Sequence, residues 1–213
     1  VGNGLNNILM DIIFRVDSSD IIGGGHLTRC INIANELKGE KINCYFLCQN
    51  RIGLDIKLLN KNIHKYKIFP ETNNFIEDAN ETIKFIKESN IKPEIIIVDH
   101  YQIDEIWETL VKRYTSKLIV IDDLAQKKHY CDILINQVLG VGRSKYENLV
   151  PKSCQLFLGN KYIMMHPQFF LERKKLPNKV DFSKITDVHL FFSSNDNNGL
   201  TIKYSKLLLK NFP

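Results

Sequence analysis

Residues Phe14 to Arg29 read F-R-V-D-S-S-D-I-I-G-G-G-H-L-T-R, and the fold is read outward from them. The run Ile8 to Val16 is mostly apolar, with a polar interruption at Asp11, which predicts a buried parallel strand. Asp17, Ser18 and Ser19 end it. Gly23, Gly24 and Gly25 follow, then His26 immediately before Leu27, Ile31, Ala34 and Leu37, which recur at helical spacing. Strand, glycine loop and helix start bring backbone N–H groups and a helix N-terminus up to a bound group, often an anion. The glycines let that group approach the backbone. His26 then faces the same space, where an imidazole suits general-base chemistry; the alternative is a histidine that only caps or packs.

Downstream, strands and helices alternate. Asn43–Cys48, Ile63–Phe69, Ile95–Val98, Leu118–Ile121 and Ile133–Ile135 read as strands. Gly53–Leu59, Asn74–Ser89 and Ile103–Tyr114 carry helical patterns. This alternation predicts an α/β fold: a Rossmann-like, doubly wound parallel sheet spanning 8–172. Strand ends are polar at Asp17, Asp99-His100, Asp122-Asp123 and Asn136. A single Asp after a strand is often a helix cap or a turn residue. Several together point to one cleft, because ligands bind outside the carboxyl ends of strands in open α/β sheets. The stretch 173–185 is basic and carries a proline, as linkers do. Val188–Phe192 (strand), Ser193–Asn198 (loop) and Gly199–Asn211 (helix) then read as the start of a second α/β domain over 186–213.

The bulk numbers exclude several classes. Among 213 residues, 44% are hydrophobic and 25% charged, as in ordinary globular proteins, and the net charge is +5. The lysines are scattered, with no basic stripe interleaved with aromatics, so nucleic acid is not an expected partner. The five cysteines form no C-x-x-C pair. They suggest neither a disulfide framework nor a zinc site, and a reducing, cytoplasmic setting is expected. No apolar run approaches the roughly 18 residues of a membrane span. The histidines show no metal-ligand spacing. The glycine loop completes neither G-x-G-x-x-G nor a P-loop, and no G-x-S-x-G is present, so nicotinamide, flavin and α/β-hydrolase chemistry are not expected. No cofactor is called for.

At this point the sequence resembles a known family. The glycine-loop stretch through Cys30 is similar to the amino-terminal motif of the PseG/SpsG-like nucleotide-sugar hydrolases. Three further stretches agree in order: I-I-I-V-D-H-Y (95–101), I-D-D-L-A-Q-K-K-H-Y-C-D-I-L-I-N (121–136) and G-N-K-Y-I-M-M-H-P-Q-F (159–169). The resemblance implies a glycosyltransferase-B-type fold, two Rossmann-like domains with a UDP-sugar between them. It implies metal-independent release of UDP from a diacetamido-trideoxy sugar, as in pseudaminic-acid and spore-coat polysaccharide biosynthesis. His26 is implied as the base that activates water, with Asp17 orienting His26 or the sugar. The implied substrate-binding set is Arg15, Ser18, Gly23, Gly24, Gly25, Arg29, Asp99, His100, Tyr101, Asp122, Asp123, Asn136, Tyr162 and Asp196.

Two stretches depart from the pattern. His166 and Gln168 stand where the family has Arg and Glu, and Ser193-Ser194 where it has two glycines. An Arg is a bidentate anion partner and glycines admit close approach, so both changes bear on nucleotide binding. A glycosyltransferase of the same fold and a non-catalytic sugar-nucleotide-binding or assembly protein are the competing expectations.

Overall fold

The computed structural model describes residues 10–37, 41–61, 65–176, 187–192, 196 and 198–212. Seven strands form one sheet: β1 (Met10–Val16), β2 (Ile42–Gln49), β3 (Lys65–Phe69), β4 (Ile95–Asp99), β5 (Lys117–Ile121), β6 (Ile133–Asn136) and β7 (Gln155–Leu158). Every neighbouring pair is parallel, in the order β3-β2-β1-β4-β5-β6-β7. The order reverses between β1 and β4, and the crevice at such a reversal is where doubly wound sheets bind ligands.

Helices cover both faces. Ile12, Phe14 and Val16 of β1 pack with Leu27, Cys30, Ile31 and Ala34 of α1 (Gly25–Glu36) and with Leu59 of α2 (Ile56–Lys61). On the other face, Ile13 joins Ala79 and Ile86 of α3 (Phe75–Glu88) and Trp107 and Val111 of α4 (Glu105–Lys112). With both faces covered, alternate residues of β1 are buried on opposite sides, which is why apolar residues occupy both of its faces rather than one. Asn74 caps α3 by accepting from the N–H groups of Ile76 and Glu77, and Asp104 caps α4 by accepting from Ile106.

The loops after β1 and β2 are stitched together. The Asp20 N–H donates to the Ile52 carbonyl at 3.0 Å. Gly53 permits this contact: its φ is +86°, and a Cβ there would lie 2.5 Å from the Asp20 nitrogen.

The structure differs from the sequence expectation in three places. Gln155–Leu158 is a seventh strand, held against β6, where no strand is expected. The connection between β5 and β6 is held by His129, whose N–H donates to the Leu149 carbonyl and whose Nδ1 lies 2.7 Å from Glu108 of α4. Arg173–Lys175 belong to helix α5 (Pro167–Lys175), started by Pro167 at its first turn and capped by the His166 Nδ1, so the linker expected from 173 does not begin there. Residues 177–185 of that stretch lie outside the described residues. Val188–Phe192 pairs with no strand among the described residues. An apolar run becomes a strand only where a neighbour takes its backbone hydrogen bonds, and no described segment does so here. The helix expected at Gly199–Asn211 is α6 (Leu200–Asn211), capped by the Asp196 carboxylate at the N–H groups of Leu200 and Thr201. Ser193, Ser194 and Asn195 lie outside the described residues.

Candidate functional site

The cleft at the β1/β4 reversal has two lobes. One, of ≈ 500 Å³, lies between the loops after β1, β2 and β4 and is bordered by Arg51, Glu71 and Gln102. The other, of ≈ 870 Å³, lies over the glycine loop and the start of α1 and is bordered by Asp123, Gln137, Met164, His166, Phe169 and Phe191. Ser19, Ile22, His26 and Tyr101 belong to both. His26 therefore stands at the junction, and the Tyr101 ring meets it edge-on with centroids 4.3 Å apart.

His26 is only 7% exposed. Its Nδ1 lies 2.6 Å from Asp99 Oδ1, and no described side chain bonds its Nε2. Asp99 closes β4, so the strand end aims its carboxylate at the first turn of α1. Arg29, one turn along α1, grips the same carboxylate with Nε at 2.8 Å and Nη2 at 2.6 Å and reaches Asp123 with Nη1 at 2.8 Å. Burial of Asp99 favours its neutral form, but the bonds from His26 and Arg29 outweigh burial and hold its carboxyl below the usual carboxylate range. Burial pushes the Tyr101 hydroxyl up, and the Asp123 charge adds to it.

Asp17 belongs to the floor of the smaller lobe and has partners other than His26. Its side chain is fully buried and receives Arg15 Nη1 at 2.6 Å, the Gln49 N–H at 2.8 Å and Arg51 Nε at 3.2 Å. His100 Nε2 lies 3.1 Å from its other oxygen. Burial opposes the Asp17 charge, but Arg15 and His100 hold the carboxyl far below the usual range. Burial in turn pushes the His100 imidazole down. Arg15 also forks onto Asp78 of α3 at 2.9 and 2.6 Å, and Gln49 and Trp107 donate to that same Asp78. This is a charge cluster under the cleft floor. Asp17 does not orient His26; Asp99 does, because the end of β4, not that of β1, faces the α1 start. Arg15 is likewise sealed within the sheet, away from any ligand.

The other expected residues divide similarly. Ser18, Gly23, Gly24, Gly25, Arg29 and Asp123 border the larger lobe, and His100 and Tyr101 border the smaller. A Cβ added at Gly23, Gly24 or Gly25 would meet nothing within 4 Å, so the loop's surface is open to a ligand. Asp122 instead caps the turn after β5, accepting from Leu124 and Ala125, and takes the Tyr146 hydroxyl at 2.9 Å. Asn136 is buried, donating to that hydroxyl and accepting from the Val138 N–H. Tyr162 packs edge-on against Phe157, and Asp196 caps α6. These four borders neither lobe with a side chain and serve local structure. Arg51 and Gln137 border the cleft without being expected from the sequence. Each follows a strand, β2 and β6, and a cation or amide just past a strand end was the available signal. Among the described residues, no group of three or more His, Cys, Asp or Glu side chains is placed to hold a metal ion.

The fold and this cleft define an α/β protein with a histidine-centred site at the topological switch of a doubly wound sheet. No family model matches the chain. Over 174 residues it is 33% identical to the UDP-2,4-diacetamido-2,4,6-trideoxy-beta-L-altropyranose hydrolase of Campylobacter jejuni, a match covering 81% of this chain and 58% of the relative. Over 203 residues it is 27% identical to an uncharacterized protein of Methanocaldococcus jannaschii, covering 94% of this chain and 40% of that protein. The chain thus spans roughly half the length of the curated relatives it matches. No described helix is long and apolar enough to cross a membrane.

Proposed function

We propose that this chain carries the amino-terminal, water-activating half of a nucleotide-sugar hydrolase of the PseG/SpsG-like family. The reaction is release of UDP from a UDP-linked diacetamido-trideoxy sugar in surface-polysaccharide sugar biosynthesis. The observation that carries it is His26: nine-tenths buried, held at Nδ1, with Nε2 unbonded at the junction of two lobes. The similarity to the Campylobacter jejuni hydrolase supports the substrate class.

In the reaction, Nε2 takes a proton from water as the water oxygen bonds to the anomeric carbon. The bond from that carbon to the β-phosphate oxygen breaks, and UDP leaves with the electron pair. The open glycine loop and the uncapped N-terminus of α1 face the larger lobe, where they suit the diphosphate. The sugar then lies toward the smaller lobe beside Tyr101 and Gln102. The segment from 187 through α6 belongs, in this reading, to a second domain that grips the uridine.

The test is phosphorus NMR of UDP release from UDP-2,4-diacetamido-2,4,6-trideoxy-altrose. His26→Gln is expected to lower turnover by about 10²–10⁴-fold, the range for loss of a general base. Equal release by both proteins would overturn the proposal. The size of the larger lobe also fits an acceptor in place of water, which is the glycosyltransferase reading. A glycosylated product in the presence of sugar or lipid acceptors would favour it.

A further inference from the structure

A histidine that removes a proton through Nε2 must keep that nitrogen bare, and its neighbours decide whether it does. The Nδ1 contact fixes the first half. Asp99 is ionised, and a carboxylate only accepts, so the 2.6 Å approach of its Oδ1 places a proton on Nδ1. The second half concerns a further proton. A histidine facing a lone carboxylate is drawn toward the imidazolium, which carries a proton on both nitrogens and removes none from water. Here the carboxylate is not alone. Arg29 ties both of its oxygens, and its Nη2 lies 3.3 Å from His26 Nδ1. At that distance the two N–H groups converge on one oxygen, and the fixed guanidinium charge opposes a second positive charge on the ring. Asp123 anchors the third corner of the guanidinium.

We propose that Arg29 is the positioning residue of this site: clamped between Asp99 and Asp123, it holds His26 as the neutral Nδ1–H tautomer with the Nε2 lone pair facing the cleft. The proposal deepens the hydrolase reading and rests on it for its catalytic meaning, but the protonation of the ring is readable without substrate. The charged and titratable groups around the ring are Asp99 from the end of β4, Arg29 from α1, Tyr101 from the loop after β4 and Asp123 from the loop after β5. His100, on the other side of Asp99, bonds Asp17 instead, and Asp20, Arg51 and Glu71 stand around the smaller lobe.

The experiment is a pH titration of the ¹⁵N-labelled chain, followed by long-range proton–nitrogen correlation spectra of His26, assigned by its disappearance in His26→Gln. In the parent protein, Nδ1 is expected at a protonated shift and Nε2 at an unprotonated one above the titration midpoint. Arg29→Gln removes the opposing charge and is expected to raise that midpoint by about one pH unit, or tenfold in proton affinity. Arg29→Lys keeps the charge and is expected to stay closer to the parent. Asp123→Asn leaves the whole guanidinium charge to the Asp99–His26 pair and is expected to lower the midpoint. It alters a partly exposed side chain, so it remains a test should Arg29→Gln fail to fold. A parent ring protonated on Nε2 and bare on Nδ1 would overturn the proposal. So would midpoints that do not move in the folded variants. If the midpoints move as described but no protein releases UDP, the tautomer assignment stands and the hydrolase reading falls.

Discussion

Arg15 shows how much a single side chain in a strand can demand. The alternation along β1 puts Ile12, Phe14 and Val16 on the α1 face, so Arg15 must enter the α3/α4 face, and its exposure is zero. A buried cation requires partners, and it has two carboxylates, Asp17 and Asp78. Replacing it with Met would leave both acids buried without their cation. Arg15→Met is therefore expected to lower unfolding free energy by about 3–5 kcal/mol in urea titrations, the range for breaking a buried pair. The sequence marked Asp17 as a strand-end acid but gave no sign of Asp78, which lies 63 positions from Arg15 on another helix. That separation is why the assignment of Asp17 to His26 could not be corrected from the sequence. The choice of Asp99 as the partner of His26 depends on the strand order, which places β4 beside β1 although 78 residues lie between the end of β1 and the start of β4.

At the scale of elements, β1, the glycine loop and α1 were legible because their signals are local. An apolar run, three glycines and a helical repeat each act over a few residues. β7 was not legible: four residues with two hydrophobic types give too little pattern, and only pairing with β6 defines them. α5 was obscured by its own composition, since R-K-K near its end reads as linker while Pro167 and His166 set its start. The glycine loop also yields a prediction that separates folding from binding. Gly25 opens α1, and a methyl group there meets nothing in the protein. Gly25→Ala is thus expected to leave the melting temperature unchanged or slightly raised. The same methyl projects into the larger lobe, and UDP-sugar binding by calorimetry is expected to weaken by at least about tenfold, ~1.4 kcal/mol. Gly53→Ala, by contrast, would collide with the Asp20 backbone and is expected to lower the melting temperature.

For the whole molecule, the pH dependence of stability follows from the connection between β5 and β6. Burial disfavours a charged His129, but its hydrogen bond to Glu108 and the nearby Asp122 carboxylate outweigh it, and its pKa is pushed up from 6.5 to about 9. A group whose proton is held more tightly in the folded state stabilises the fold fully below its unfolded value. That stabilisation is lost as pH rises from about 6.5 through 9. Chemical denaturation at pH 6, 7.5 and 9.5 is expected to show a decline across this window. His129→Gln is expected to flatten that decline while lowering stability at pH 6. The doubly wound architecture itself was legible from the sequence, because strand–helix alternation admits few topologies. The two-lobed cleft was not, because its walls come from the loops after all seven strands, whose meeting is a property of the assembled sheet. That meeting has a chemical consequence. His26 and Tyr101 form a party wall between two chambers, each large enough for a fragment-sized compound. Two weak binders lodged on either side of the imidazole could be tethered across it, and the tether would convert two modest affinities into one through raised effective concentration.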